Sequence, residues 1–345
     1  MRDVRLRPAR PLVAALASVS LLLSGCGGGG DDAAGSDDSS AAAPPSNSST
    51  IGRSDTWPLT GLPVDGGQSS EQKHPVLVLK MDNTSSSSPQ VGLGSADLVV
   101  EELVEGGMTR LAAFYYSEIP GEAGPVRSMR ASDIGIVSPA GGSMVTSGAA
   151  DVTLQRIEDA GIEYYGEGSP GFFRAGDRSA PYNLMTDLGA VAKAAEHTKT
   201  RPDDYLPWGS EDDLPQGQPA TSLAATFSGG HTTTWTYRDG GYVNDNSYAL
   251  AGDEFPADTV LVLRVPVGDA GYRDPAGNPV PETRFEGSGD AMIFHGGRLV
   301  RGTWEKDSLD AVVSLSTRAG ELTVPSGKVW IELVPEDSGE VTFGK

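Results

Sequence analysis

Three carboxylates and one arginine fall within ten consecutive positions, Glu101-Glu102-Leu103-Val104-Glu105-Gly106-Gly107-Met108-Thr109-Arg110. Paired carboxylates can divide an acid–base reaction between them, one giving a proton while the other accepts one, as glycan hydrolysis requires. Glu101, Glu102 and Glu105 are therefore the candidate catalytic residues. The competing expectation is a charged turn that is solvated or salt-bridged and does no chemistry. A second set of groups is basic. Arg110, Arg127 and Arg130 follow one another closely, and a guanidinium fork binds carboxylate or phosphate in a bidentate way. Further on, Arg174, Asp177, Arg178 and Asn183 crowd the loop FRAGDRSAPYNL. Dense polar side chains on a loop are commoner at sites than in plain connections. These seven are the candidate ligand-binding residues. The alternatives are that Arg127 and Arg130 pair with the glutamates, and that Asp177 merely pins its loop to an arginine. Between Met81 and Ala192 there are six arginines and no lysine, a weak further hint of anion recognition.

These groups need elements to hold them. Val76 to Met81 is apolar and β-branched apart from Lys80, the pattern of a strand buried on both faces. Leu98 to Val100 and Leu111 to Tyr116 read as two further strands, with Glu101 to Arg110 as the turn between them. Strand ends of this kind gather functional groups in mixed sheets. Ala131 to Val137 reads as a helix, which would put Arg127 and Arg130 on one face near its N-terminus. Ser143 to Gly148 reads as a short strand, Asp151 to Ala160 as a helix stopped by Gly161, and Asp187 to His197 as another helix.

Other chemistries lack their residues. The histidines, His74, His197, His231 and His295, form no i,i+4 pair, and one cysteine excludes a zinc cluster, so no metal site is expected. Nucleophile-elbow, S-x-x-K, H-E-x-x-H and P-loop patterns are missing. Gly166 to Gly171 matches G-x-G-x-x-G in letters, but Pro170 and Phe172-Phe173 follow where a helix should open, so it is rejected as a dinucleotide site. No cofactor is expected.

The N-terminus is not part of the fold. Arg2, Arg5, Arg7 and Arg10 precede a short apolar run, Pro11 to Leu23, and Leu23-Ser24-Gly25-Cys26 closes it. The run is too brief to span a bilayer. Its end resembles the lipobox of bacterial lipoproteins, in which the cysteine carries the lipid, so Cys26 is the expected lipidation site and residues 1–25 the signal peptide. An ordinary secretory leader with an incidental cysteine is the alternative. Residues 26–56 are Gly-, Ser-, Asp-, Ala- and Pro-rich, which predicts a flexible tether. About thirty such residues, at ~5–6 Å × √n, reach a few tens of ångströms from a membrane. Localisation is accordingly extracytoplasmic and membrane-anchored. The formal net charge is −21, and the leader holds four Arg and one Asp, so its removal takes the charge to −24. That excludes nucleic acid as a partner and disfavours anionic lipid headgroups.

The folded part divides by texture. Residues 57–198 alternate strand and helix signals and predict an α/β domain, a mixed sheet with flanking helices. Residues 199–222 are Pro-, Asp- and Gly-rich and read as a connector. Residues 223–345 carry hairpin signals, such as Arg238-Asp239-Gly240-Gly241, and predict a smaller β-rich domain. Trp235, Trp304, Trp330, Tyr237 and Tyr242 would fill that domain's core or, alternatively, form a sugar-stacking platform.

The blocks PLTGLPV, PVLVLKMDN, PQVGLGSADLVVEELVEGGMTRLAAFYYS, GPVRSMR, GDRSAPYNLM and GKVWIELVP resemble the YerB (DUF3048-type) family of bacterial lipoproteins. The resemblance runs with gaps from Pro58 to Pro335. It implies an anchored extracytoplasmic protein with an α/β N-terminal part and a smaller C-terminal part, and it implies no established reaction. Together these readings predict a protein that binds an anionic envelope component, such as a peptidoglycan or teichoic fragment, or a partner protein of wall assembly. A wall hydrolase or transferase using carboxylates is the alternative.

Overall fold

The computed structural model describes residues 55–196 and 200–345. The leader, Cys26 and nearly all of the tether lie outside the described residues, as does His197.

The apolar run near residue 77 becomes the centre of the molecule. Strand β1 (Leu77–Asn83) is buried along its whole length. It pairs antiparallel with β3 (Thr109–Tyr115), which pairs antiparallel with β2 (Leu98–Leu103). Beyond β1 lie two short parallel strands, β4 (Ser143–Val145) and β5 (Tyr164–Tyr165). Successive strand residues point to opposite faces, so β1 feeds two cores: Leu77, Leu79 and Met81 enter one and Val76 and Val78 the other. That is why the run is apolar at nearly every position.

The C-terminal region supplies two sheets' worth of strands. Four of them form a small antiparallel sheet: β6 (Ser222–Ser228), β7 (His231–Arg238), β8 (Gly241–Asn244) and, at the chain's end, β15 (Glu340–Gly344). Alternate residues of β6 and β7 are buried, as expected of a sheet with one covered face. That face, carrying Leu223, Ala225, Phe227 and Trp235, shares the core of Leu79, Val99 and Ala113. The other strands extend the main sheet: β9 (Thr259–Val265), β10 (Gly287–His295), β11 (Arg298–Lys306), β12 (Ser314–Thr317), β13 (Gly320–Glu321) and β14 (Val329–Pro335). β14 lies between β9 and β2 and is parallel to both. A single mixed sheet therefore runs through residues from both sides of the 199–222 connector.

Helices are few and short: α1 (Asp133–Val137), α2 (Asp151–Asp159) and α3 (Leu188–Ala194). The mixed sheet matches the sequence reading, whereas among the described residues the α-helices beside it are these three short elements. Two local expectations need correction. Glu101 and Glu102 belong to strand β2, and the turn proper is Val104–Met108, where Gly106 and Gly107 both take positive φ, a conformation costly for any residue with a Cβ. α1 starts only at Asp133, so Arg127 and Arg130 sit in the non-helical stretch before it. Trp235, Trp304 and Trp330 are core residues, at most 2% exposed, which removes the stacking platform.

Among the described residues no helix is long and apolar enough to cross a membrane.

Candidate functional site

The ends of β1, β2 and β14 and the start of β3 meet at one end of the main sheet's central strands. Register places Asp82 opposite Arg110, Glu102 opposite Arg110 and Glu101 beside Glu332. Since neighbours along a strand point to opposite faces, Glu101 and Glu102 end up on opposite sides of the sheet. They cannot act together on one bond. Of the three candidate carboxylates, the pairing of Glu101 with Glu102 is therefore ruled out by strand geometry.

On one face, Lys80 is wholly buried, with Nζ 2.8 Å from Glu102 Oε1 and 2.8 Å from Asp133 Oδ1. Burial alone would lower the pKa of the ammonium, but Asp133 and Glu102 outweigh it and raise it. The Glu102 carboxyl is pushed up by burial and by Asp133, against the pull of Lys80. Glu105, in the turn, receives Arg130 through Nε at 2.9 Å and through a second, shorter contact from Nη2, and Arg110 Nη2 at 3.3 Å. Burial would raise its pKa, yet the two guanidiniums hold it below the usual carboxylate range. Arg110 is lowered to about 10 by burial and by the nearby charge of Arg130.

The opposite face is organised around Glu101, which is also fully buried. Its carboxylate accepts hydrogen bonds from Asn83 Nδ2 at 2.9 Å, Thr109 Oγ1 at 2.7 Å and Thr233 Oγ1 at 3.0 Å, and lies 2.9 Å from His231 Nε2. These contacts overcome burial and keep Glu101 ionised, while Glu101 in turn raises the pKa of the His231 imidazole despite burial. Next to it, burial and the Glu101 charge push Glu332 well above the ordinary glutamate range. Trp235 Nε1 donates to Glu332 Oε1 at 2.8 Å. Because His231, Thr233 and Trp235 come from β7, this network joins the small sheet to the main one.

The remaining candidates separate. Arg127 Nε approaches Asp82 Oδ2 at 2.8 Å, its side chain is 20% exposed, and its guanidinium lies 5.2 Å from the centre of the Tyr182 ring. Its two terminal nitrogens make no hydrogen bond among the described residues. Arg178 donates to the carbonyls of Ser87 at 3.0 Å and Pro89 at 2.5 Å, which ties the loop to the segment after β1. Arg174 is on an exposed hairpin, bound to Glu167 at 2.6 Å and to Asn183 at 2.7 Å. Asp177 is exposed and pairs with no arginine among the described residues, so it does not pin the loop. The structure thus gathers Glu101, Glu102, Glu105, Arg110, Arg127 and Arg130 around one end of the central strands, with Glu101 on the opposite face from Glu102. Arg174, Asp177 and Asn183 stand on the neighbouring hairpin, which meets the cluster's rim through Tyr182 beside Arg127 and through the Leu184 carbonyl, which accepts from the Val126 N–H at 2.7 Å.

Sequence reasoning did not select Lys80, Asp82, Asp133, His231, Thr233 or Glu332. A signal existed for two of them: Lys80 and Glu332 are the lone charges inside the apolar runs LVLKM and VWIELV, and a charge there must find a buried partner. Among the described residues no group of three or more His, Cys, Asp or Glu is placed to hold a metal ion.

With this architecture in view, the class of protein is defined: the chain belongs to the DUF3048 family. The family's N-terminal domain, described as "Protein of unknown function (DUF3048)", matches residues 59–201, and its C-terminal domain matches residues 223–331. The chain is 24% identical over 304 residues to the Bacillus subtilis (strain 168) protein named "Putative lipoprotein YerB", covering 84% of this chain and 89% of that one. The crystal structure of Bacillus subtilis YerB superposes with a TM-score of 0.68 at 22% identity, over 83% of this chain and 99% of the other. That likeness concerns the fold.

Proposed function

We propose that this protein is a lipid-anchored extracytoplasmic binding protein, held to the membrane through Cys26 and taking an anionic envelope ligand at the rim formed by Arg127 and Tyr182. The ligand class is a peptidoglycan or teichoic fragment. One observation carries the reading: Arg127 keeps two unengaged terminal nitrogens at a partly exposed position over an aromatic ring, while Arg110 and Arg130 are committed to Glu105. A guanidinium held by stacking is preorganised for a carboxylate or phosphate. The carboxylates favour binding over hydrolysis. Glu101 and Glu102 have no exposed surface and face apart, and Glu105 is held ionised, so none is an accessible proton donor. Support for the anchor comes from the L-S-G-C end of the leader and from the name of the YerB relative.

The test is thermal melting of the full-length protein against muramyl peptides and glycerol-phosphate oligomers. Ligand at 100 times its Kd should stabilise the fold by about 2.7 kcal/mol and raise Tm. Arg127→Lys keeps the charge but loses the fork, so the rise should shrink while the unliganded Tm stays near wild type. A wild-type Tm that never moves with any fragment overturns the proposal.

A further inference from the structure

A second cleft lies away from this rim, where the small sheet's free edge meets the outer strands of the main sheet. β15 (Glu340–Gly344) pairs with β6 on one side and, among the described residues, with no strand on the other. A cleft of about 410 Å³ reaches this strand at Val341, and its wall also includes Arg264, Asp290, Met292, Arg301 and Glu336. Register explains the grouping. Met292 on β10 is opposite Arg301 on β11, and the pairing of Leu263 with Ala291 sets Arg264 beside Asp290. Arg264 and Arg301 thus stand on one face, in adjacent rows of the same three strands.

Both guanidiniums are positioned without a carboxylate partner. One terminal nitrogen of Arg264 donates to the carbonyls of Glu336 and Gly339, each at 2.8 Å. The Arg301 guanidinium lies 5.4 Å from the centre of the Phe343 ring, and Phe343 is 36% exposed. Among the described residues neither arginine has a carboxylate within ion-pair distance, although the protein is strongly acidic. Asp290, Glu336 and Glu340 act on Arg264 only at longer range.

We propose that this cleft binds a short extended peptide ending in a free carboxylate, the peptide adding a strand to β15 and its terminal carboxylate meeting Arg264 and Arg301. An open edge offers unpaired backbone donors and acceptors that an extended chain satisfies at alternate residues. Two oriented guanidiniums suit a single planar carboxylate. Asp290 and Glu336, on the same wall, repel a polyanion and leave a lone terminal charge on an otherwise neutral chain as the better fit. The partly exposed Phe343 and Val341 give apolar contact to the peptide's side chains.

Isothermal titration of the full-length protein with the pentapeptide acetyl-Ser-Val-Thr-Val-Ala tests this, using the free acid and the C-terminal amide. The free acid should bind with one-to-one stoichiometry, and the amide about tenfold more weakly or worse. Arg301→Gln, at an exposed position, should leave the melting curve unchanged, weaken the free acid by a similar factor and leave the amide alone. Equal affinity for acid and amide overturns the proposal, as does absence of binding by either or an Arg301→Gln protein that binds the acid like wild type.

Discussion

Lys80→Met is the sharpest probe of the buried seam. The substitution keeps an unbranched side chain of similar length in β1 but removes the ammonium from between Glu102 and Asp133. All three side chains have zero exposure, so water cannot replace the missing charge. Removing one partner of a buried ion pair costs about 3–5 kcal/mol. For a chain of this size each kcal/mol corresponds to about 2–4 °C, so Tm should fall by roughly 6–20 °C at pH 7. The deficit should depend on pH, with a sign that follows from linkage. Without Lys80 the Glu102 carboxyl loses the one charge that pulls against burial, so its folded-state pKa stays raised above the unfolded one, a penalty present at neutral pH and relieved as pH falls and it takes up a proton. Melting followed by circular dichroism from pH 4 to pH 8 should therefore show wild type and variant converging toward acid. Lys80→Met/Glu102→Gln should recover part of the loss by removing a stranded charge. A drop in Tm under about 2 °C at pH 7, flat with pH, would refute the reasoning.

Three other outcomes are expected. Glu101→Gln and Glu332→Gln, adjacent across β2 and β14, should differ strongly: the first removes the carboxylate that Asn83, Thr109, His231 and Thr233 share and should cost about 3–5 kcal/mol, whereas the second replaces a carboxyl that burial and the Glu101 charge push toward its protonated form and should not destabilise. The Glu101–His231 pair should contribute most between about pH 4.5 and 6.5: the depressed Glu101 contributes above its ordinary 4.5, and the raised His231 contributes fully below its ordinary 6.5 and is lost as pH rises further. Glu332, whose folded pKa is raised, costs stability from its ordinary 4.5 upward, so Glu332→Gln should flatten the decline with rising pH in urea titrations; equal destabilisation by both variants would show that this reading of the two carboxyls is wrong. Separately, Cys26→Ala should move the protein from the membrane to the soluble fraction on cell fractionation, and a variant that stays membrane-bound would rule out lipid anchoring through that residue.

Local pattern made much of the scaffold legible. The uninterrupted apolar run of β1, the stop of α2 at Gly161, the Asp239-Gly240 hairpin and the Gly106-Gly107 reversal can each be read from a few neighbouring residues, because strand burial, helix termination and positive φ are short-range demands. The cluster of Glu105 with Arg110 and Arg130 was also within reach, since both arginines lie within 25 positions of their partner. Two facts about the site were not. Treating Glu101 and Glu102 as one turn hid the strand alternation that sends them to opposite faces. Their partners then come from far along the chain: His231 and Thr233 stand 130 and 132 positions from Glu101, and Glu332 reaches it only because β14 inserts beside β2. A buried charge dictates that a partner must exist, since leaving it unpaired costs several kcal/mol. Which residue answers is set by strand order and register, and those are decided by the packing of two sheets on a common core.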